Sequence, residues 1–385
     1  FSVESLKGIE AFKGLVYLDL TNTGEADLQP LTELTQLRTL SLSVHNNSDI
    51  TTLAGLTQLR SLSISARENI DITPLAGMTQ LWSLRLWGSS IDDITPLMGL
   101  TKLRKLFFYG RSDLSDIKPL AALTNLQYLS FGPNNVIDIS PLSELAHLKH
   151  LDFGPGDVSD ISPLAGLTQL KTLMLGTSKL SDISPLTGLT QLEFVLLRGN
   201  DNLSDISPLA ELTQLHTLHL GRNAISDIAP LSGLTQLQYL DLNTNNIQNI
   251  IPLAELKQLH TLHLGRNEIS DIAPLSGLTQ LSYLSLGGND IRDIRPLAGL
   301  TQLENLSLSS NHISNLSALS GLEKLENLWL EDNRIRDISP LAGLPELQQL
   351  MLRMNQIATV AETLDTLPSL ETAFLSDNPI SCEEI

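Results

Sequence analysis

A chain of 385 residues would ordinarily divide into two or three domains, unless its core grows in one dimension only. A net charge of −19 disfavours nucleic acid and anionic membrane as general partners. The single cysteine, Cys382, excludes an internal disulfide framework and a Cys-rich zinc site, and no apolar run approaches the ~18 residues of a membrane span.

The first apolar residues, Val3, Leu6, Ile9 and Phe12, are spaced by three and match the closing half of a unit that then recurs along the whole chain. Full units start at Leu15, Leu37, Leu59, Leu81, Leu103, Leu126, Leu148, Leu170, Leu192, Leu215, Leu237, Leu259, Leu281, Leu303, Leu325 and Leu347, with a partial one at Leu370. The expected organisation is one domain over 1–385: a partial N-terminal coil at 1–14, sixteen repeats at 15–369 and a partial C-terminal repeat at 370–385. Most units have 22 residues, and those starting at Leu103, Leu192 and Leu347 have 23. In the first two the extra residue follows the strand, at 111–113 and 201–202, where small bulges are expected. The chain starts at Phe1 rather than methionine and stops in mid-repeat with LSDNPISCEEI, so both ends are expected to continue in the natural protein.

Residues 215–236, LHTLHLGRNAISDIAPLSGLTQ, show the unit most clearly. Counting Leu215 as position 0, apolar residues fall at 0, 3, 5, 10, 13, 16 and 19, with Asn223 at 8, Asp227 at 12 and Pro230 at 15. This is a leucine-rich repeat. Leu218 and Leu220 are two apart, so an extended segment points both inward while His219 and Gly221 point out. Asn223 leaves the strand at a turn where its amide can bond backbone groups, and stacked copies would form a ladder. Asp227 stands where a cap residue precedes a short helical turn, and Pro230 sits where no N–H is needed. The fold class expected is therefore an α/β solenoid: a right-handed leucine-rich repeat horseshoe of about sixteen repeats. It would carry a concave parallel β-sheet, with short 3₁₀ or turn segments on the convex side.

The run DIxPLxGLTQL, at residues 160–170 and 182–192, combines with LxxLxLxxNxI and the opening LKGIEAFKGLVYLDL. Together they resemble the 22-residue repeats of bacterial internalins. The resemblance covers essentially the whole chain and implies a surface or secreted protein whose concave strand face binds host-cell receptors. Similar repeats also occur in an intracellular phosphatase regulator.

The Asn column separates the chain into two regimes. Position 8 reads Thr23, His45, Arg67, Ser89, Arg111, Asn134, Gly156 and Ser178 in the first eight repeats. From Leu192 onward it is asparagine throughout, at 200, 223, 245, 267, 289, 311, 333, 355 and 378, so the second half is expected to be the more regular. The Asp column at position 12 recurs almost everywhere, with Asn249 and Asn315 as neutral acceptors. Such recurrence marks a scaffold part whose stacked carboxylates need compensation by turn N–H groups. A calcium ladder is the sharper alternative, weakened by the Asn replacements and the want of a second acidic column.

Eleven of the sixteen aromatic residues occupy outward strand positions: Tyr17, Trp82, Trp87, Phe107, Tyr109, Tyr128, Phe194, Tyr239, Tyr283, Trp329 and Phe374. The densest group joins Trp82, Arg85 and Trp87 to Arg104, Lys105, Phe107, Tyr109 and Arg111 of the next repeat, with Tyr128 beyond. Trp, Tyr and Arg are the types most enriched at binding hot spots, although some rings merely cover neighbouring strands. Position 1 adds a basic stripe, with Arg38, Arg60, Arg104, Lys149 and Lys171 giving way later to Glu193, Glu304, Glu326 and Glu371. A second patch, Met174, Phe194, Leu196 and Arg198, is expected to extend the footprint. A third group, His216, His219, Asp241, His260 and His263, could hold a metal in principle, but LHTLHLGRN is duplicated almost verbatim and the histidines would lie about 10 Å apart.

No nucleophile elbow, phosphate loop, HExxH or CxxC occurs, so no enzyme activity, cofactor or metal is expected. The reading is a non-catalytic protein-binding module, secreted or at the cell surface. Its partner would present an acidic or mixed-charge surface to the N-terminal half of the concave face. Alternatives are an intracellular regulatory scaffold within a larger signalling protein, and a carbohydrate-binding module using Trp82 or Trp87. The repeat at 215–236 is accounted for by the fold and serves as a ruler.

Overall fold

The computed structural model describes residues 6–21, 27–44, 50–66, 70–88, 91–110, 114–154, 156–176 and 179–380. Arg111, Val3, Cys382, and most of the first-half position-8 residues (23, 45, 67, 89 and 178) lie outside them. The chain forms two compact units, Phe1–Leu192 and Glu193–Ile385.

In the first unit β1 (Tyr17–Leu20), β2 (Thr39–Val44), β3 (Ser61–Ala66), β4 (Ser83–Trp87), β5 (Lys105–Tyr109), β6 (Tyr128–Phe131), β7 (His150–Phe153) and β8 (Thr172–Leu175) each pair in parallel with the next. The second unit repeats the scheme with β9 (Phe194–Leu196), β10 (Thr217–His219), β11 (Tyr239–Asp241), β12 (Thr261–His263), β13 (Tyr283–Ser285), β14 (Asn305–Ser307), β15 (Asn327–Trp329), β16 (Gln349–Met351) and β17 (Thr372–Phe374). Equivalent repeat positions lie opposite one another, as in Leu218 beside Leu240 and Leu240 beside Leu262. The architecture is a leucine-rich repeat solenoid.

The spacing of the leucines dictates both halves of each coil. Leu215, Leu218, Leu220, Ile225, Ile228, Leu231 and Leu234 are all buried, so the seven apolar positions form the core. Ile228, Leu231, Leu234 and Leu237 are three apart, which matches the three residues per turn of a 3₁₀-helix. The N–H groups of Leu231, Leu234 and Leu237 each donate to the carbonyl three residues back, at 3.0 Å. Pro230 fits the first turn of Ala229–Gly233 because no backbone donor is needed there.

Position 12 caps these turns as the sequence implies, with one refinement of geometry. Each described aspartate of the column accepts the backbone N–H two residues on, as in Asp160 to Ser162 at 2.8 Å and Asp227 to Ala229 at 2.9 Å, and Asn249 and Asn315 do the same. These bonds hold the carboxyl of Asp160 below its usual range, outweighing the repulsion from Asp138 in the coil before. In Asp293 the addition of Arg295 lowers it to about 2.

The asparagines of the second unit form a ladder. Asn245 donates from Nδ2 to the carbonyls of Leu242 and Leu220, each at 3.0 Å, while its Oδ1 accepts the N–H of Ile225 at 3.0 Å. From Asn223 to Asn378 each such side chain therefore ties its own coil to the one before. The residue just before each asparagine is left-handed, with φ between 52° and 76° from Gly199 through Asp377. This ends every strand of the second unit after three residues. Where the asparagine is replaced, β2 and β3 run six residues and β4 and β5 five, so backbone pairing between strands does part of the ladder's work.

The 23-residue repeats from Leu192 and Leu347 absorb their insertions outside the strands. At 201–202 the extra residue sits in a turn closed by Leu203 N–H on Asn200 O at 2.8 Å, rather than in a bulge. Residues 111–113 lie outside the described residues. In the repeat from Leu347 the 3₁₀ turn becomes a short α-helix, α1 (Ala361–Leu364). In the first coil Leu6 is buried but Phe12 is 64 % exposed.

Candidate functional site

In β4 and β5 the buried residues Leu84, Leu86, Leu106 and Phe108 alternate with residues that must point away from the core. The parallel register then places Arg85 beside Phe107, Trp87 beside Tyr109, and Lys105 beside Tyr128. The rings of Trp87 and Tyr109 stack with centroids 4.0 Å apart, and Phe107 lies 5.7 Å from Tyr109. The Arg85 guanidinium lies 5.1 Å from the Phe107 centroid. Lys105 Nζ reaches two rings at once, 5.8 Å from Trp82 and 4.8 Å from Tyr128. Trp82 and Trp87 nevertheless remain 41 % and 42 % exposed.

Seven of the expected residues thus fall into two contact groups on paired strands, Trp87, Tyr109, Phe107 and Arg85 in one and Trp82, Lys105 and Tyr128 in the other. Each cation lies on a ring face, which holds a flexible side chain in place while leaving its charge accessible. Phe107, Tyr109 and Tyr128 are half-buried, so these rings also cover their neighbours. His150 extends the row, 6.0 Å from Tyr128, and burial pushes its pKa down while Asp152 partly opposes the shift. The sequence reading omitted it, although its place opposite Tyr128 follows from the register alone.

Arg104 faces a different hollow. With Arg60, Lys102 and Trp82 it lines an open pocket of about 670 Å³, where Lys102 Nζ donates to Gln80 Oε1 at 2.6 Å. Trp82 thus borders both the aromatic row and a basic pocket. Arg111 lies outside the described residues. Phe194 and Arg198 belong to the second unit, where Phe194 meets His219 at 5.5 Å.

The second unit carries its own row, built from positions 2 and 4 of successive strands. Tyr239 stands between His219 and His263 at 4.5 and 5.5 Å, and Tyr283 follows His263 at 4.7 Å. An aromatic ring therefore separates the two histidines, and burial lowers the pKa of both, which favours the neutral form near pH 7. Among the described residues no group of three His, Cys, Asp or Glu side chains is placed to hold a metal ion.

Beyond this row, where the strands enter their turns, lies a polar pocket of about 470 Å³ bordered by Arg198, Arg222, Arg266 and Asp241. Sequence reasoning passed over it because Arg222 and Arg266 sit inside the duplicated LHLGRN and read as part of the frame. The signal that could have found it is arginine immediately before the ladder asparagine in two repeats, set among glycine and serine.

A sequence-family profile, "Leucine Rich repeats (2 copies)", matches seven overlapping windows between 190–233 and 323–369. No curated protein sequence matches the chain. Among solved structures, an internalin (inlF) from Listeria monocytogenes is 35 % identical, covering 77 % of this chain and 87 % of its own, with a TM-score of 0.73. The functional domain of InlJ, also from Listeria monocytogenes, is 25 % identical over 88 % of this chain and 72 % of its own, with a TM-score of 0.72. A leucine-rich repeat protein of Leptospira interrogans has the same fold at 19 % identity, covering 100 % of this chain and 96 % of its own, with a TM-score of 0.74.

Proposed function

The chain belongs to the internalin-type leucine-rich repeat proteins, and from that premise we propose that it binds a protein partner through the aromatic and basic face of β4 to β6. Leucine-rich repeat domains are in general protein-binding modules rather than enzymes. The observation that carries the proposal is a pair of cation–aromatic groups on paired strands: Trp87 stacks on Tyr109 and Arg85 on Phe107, while Lys105 bridges Trp82 and Tyr128. Preorganised rings lose little conformational freedom on docking, and cations already resting on them need no rearrangement.

The partner proposed has an acidic or mixed-charge surface that meets Lys105 and Arg85 directly and the pocket of Arg60, Lys102 and Arg104 at the margin. We place the protein at the bacterial surface or in the secreted fraction, acting on the concave side of its strands without catalysis. No described helix is long and apolar enough to cross a membrane.

The test compares binding of the wild-type protein and the Trp87→Ala/Phe107→Ala variant to intact host cells by surface titration. Hot-spot residues of this kind are worth about 2 kcal/mol or more each, so a loss of affinity of at least ~100-fold is expected. Equal binding by the variant would refute the assignment. Glycan-array binding that depended on Trp82 or Trp87 would replace the protein partner with a sugar.

A further inference from the structure

We propose that the arginine-bordered pocket of the second unit binds an anionic sugar: a hydroxyl-rich ring carrying a carboxylate or sulfate. It is separate in sequence and in unit from the protein-binding face of β4 to β6 and does not depend on that reading.

The charge argues for an anion. No carboxylate among the described residues forms an ion pair with Arg198, Arg222 or Arg266, although the protein as a whole is strongly acidic. Arg222 and Arg266 occupy the same repeat position two coils apart, both left-handed at φ 58° and 55°. Two strand spacings separate them by about 10 Å, the breadth of a sugar with its substituents. Their guanidinium groups offer the forked donors that suit a carboxylate or sulfate.

The lining argues for hydroxyl groups. None of the residues around the cavity has an aliphatic or aromatic side chain, so a peptide anchored by an apolar side chain would find no complement. Ser285 and Ser307 instead supply hydroxyls, and Asn243 an amide. Asp241 is only 6 % exposed, yet it borders the cavity. Its Oδ1 accepts the Asn243 N–H at 3.0 Å, and a carboxylate has lone pairs to spare for a ligand hydroxyl.

The space itself exists because side chains are missing where other repeats could have them. A Cβ on Gly221 would come within 2.9 Å of Asp241 Oδ2, and one on Gly265 within 3.0 Å of Asn243 Oδ1. At Gly288, itself at φ 73°, a Cβ would come within 3.2 Å of the Arg266 stem. Gly221 and Gly265 let the polar groups of an adjoining coil pack close, Asp241 in the next and Asn243 in the one before, and Gly288 leaves room for the guanidinium arm. The size of the cavity suits one sugar unit rather than a folded surface.

Calorimetric titration of the full chain with glucuronate, glucose 6-sulfate and glucose tests the proposal, with an acidic hexapeptide as a fourth probe. At least one anionic sugar is expected to bind at least ~10-fold more tightly than glucose, and the preferred one identifies the acid group. Arg222→Gln/Arg266→Gln should lower that affinity at least ~10-fold while leaving the thermal transition in place, since both arginines are exposed. Trp87→Ala/Phe107→Ala should leave it unchanged, which separates this site from the protein-binding face. Equal binding of glucose, full retention of affinity by the double variant, absence of binding by both anionic sugars, or arginine-dependent binding of the peptide alone would each overturn it.

Discussion

Asn267 shows how much one residue carries in the second unit. Its Nδ2 donates to Leu242 O and Leu264 O and its Oδ1 accepts Ile247 N–H, all at 3.0 Å in a site from which water is nearly excluded. Asn267→Ala would leave the buried Ile247 N–H without this partner, while Leu242 O and Leu264 O keep their bonds from Asn245 and Asn289, so a loss of about 1–3 kcal/mol is expected in urea denaturation. Among the described residues Asn134 in the first unit bonds Gly132 O and Val136 N–H of its own coil and no neighbouring coil, and Asn134→Ala should cost less. Ser83 behaves in the opposite sense. It is 1 % exposed with its hydroxyl unbonded, so Ser83→Ala should leave the melting temperature unchanged or raise it, and a clear fall would contradict this account. The asparagine column was legible from the sequence, since only a repeated structural need places the same amide in nine successive repeats. The unbonded Ser83 hydroxyl was not, because a serine at a strand position reads as outward and solvated.

At the scale of the element, the two regular columns separate the strand from the turn. Apolar residues two apart made the strands legible and apolar residues three apart made the 3₁₀ turns legible, before any contact was known. Strand length was harder to read. In the second unit the three-residue strands go with a left-handed residue before position 8, adopted by Arg222, Thr244, Ser310 and Met354 alike with no common side chain to announce it, and Gly88 shares that conformation after the five-residue β4. The aspartate turns carry a pH dependence whose sign follows from their hydrogen bonds. Asp138, Asp160 and Asp205 have folded-state pKa values below the ordinary 3.8, so their contribution is complete above that pH and is lost as pH falls through the lowered values. Replacing all three with asparagine, as positions 249 and 315 already have it, keeps the acceptor and removes the proton. Thermal melts between about pH 5 and pH 2 should then show a shallower decline than in the wild type. An identical decline would place the acid sensitivity elsewhere.

For the molecule as a whole, the sequence singles out the strands around Trp82 to Tyr109 as the candidate face because those repeats depart most from the common pattern. Departure from a ruler finds large and charged residues on strands. It is blind to a site made from glycines, serines and arginines that also serve the turn, and the pocket at Arg222 and Arg266 is of that kind. Against a net charge of −19, the basic residues of the first face form a local exception, so attraction to the proposed acidic partner would act at short range. Raising salt to about 0.5 M, where screening confines charge effects to a few ångströms, should slow association while leaving the stacked aromatic contact largely intact. The most direct measurement of the central claim is the affinity of the wild-type protein and of Trp87→Ala/Phe107→Ala for the host-cell surface, taken on proteins with matching thermal transitions. A loss of at least ~100-fold with the fold preserved is the predicted result, and undiminished binding by the variant would contradict it.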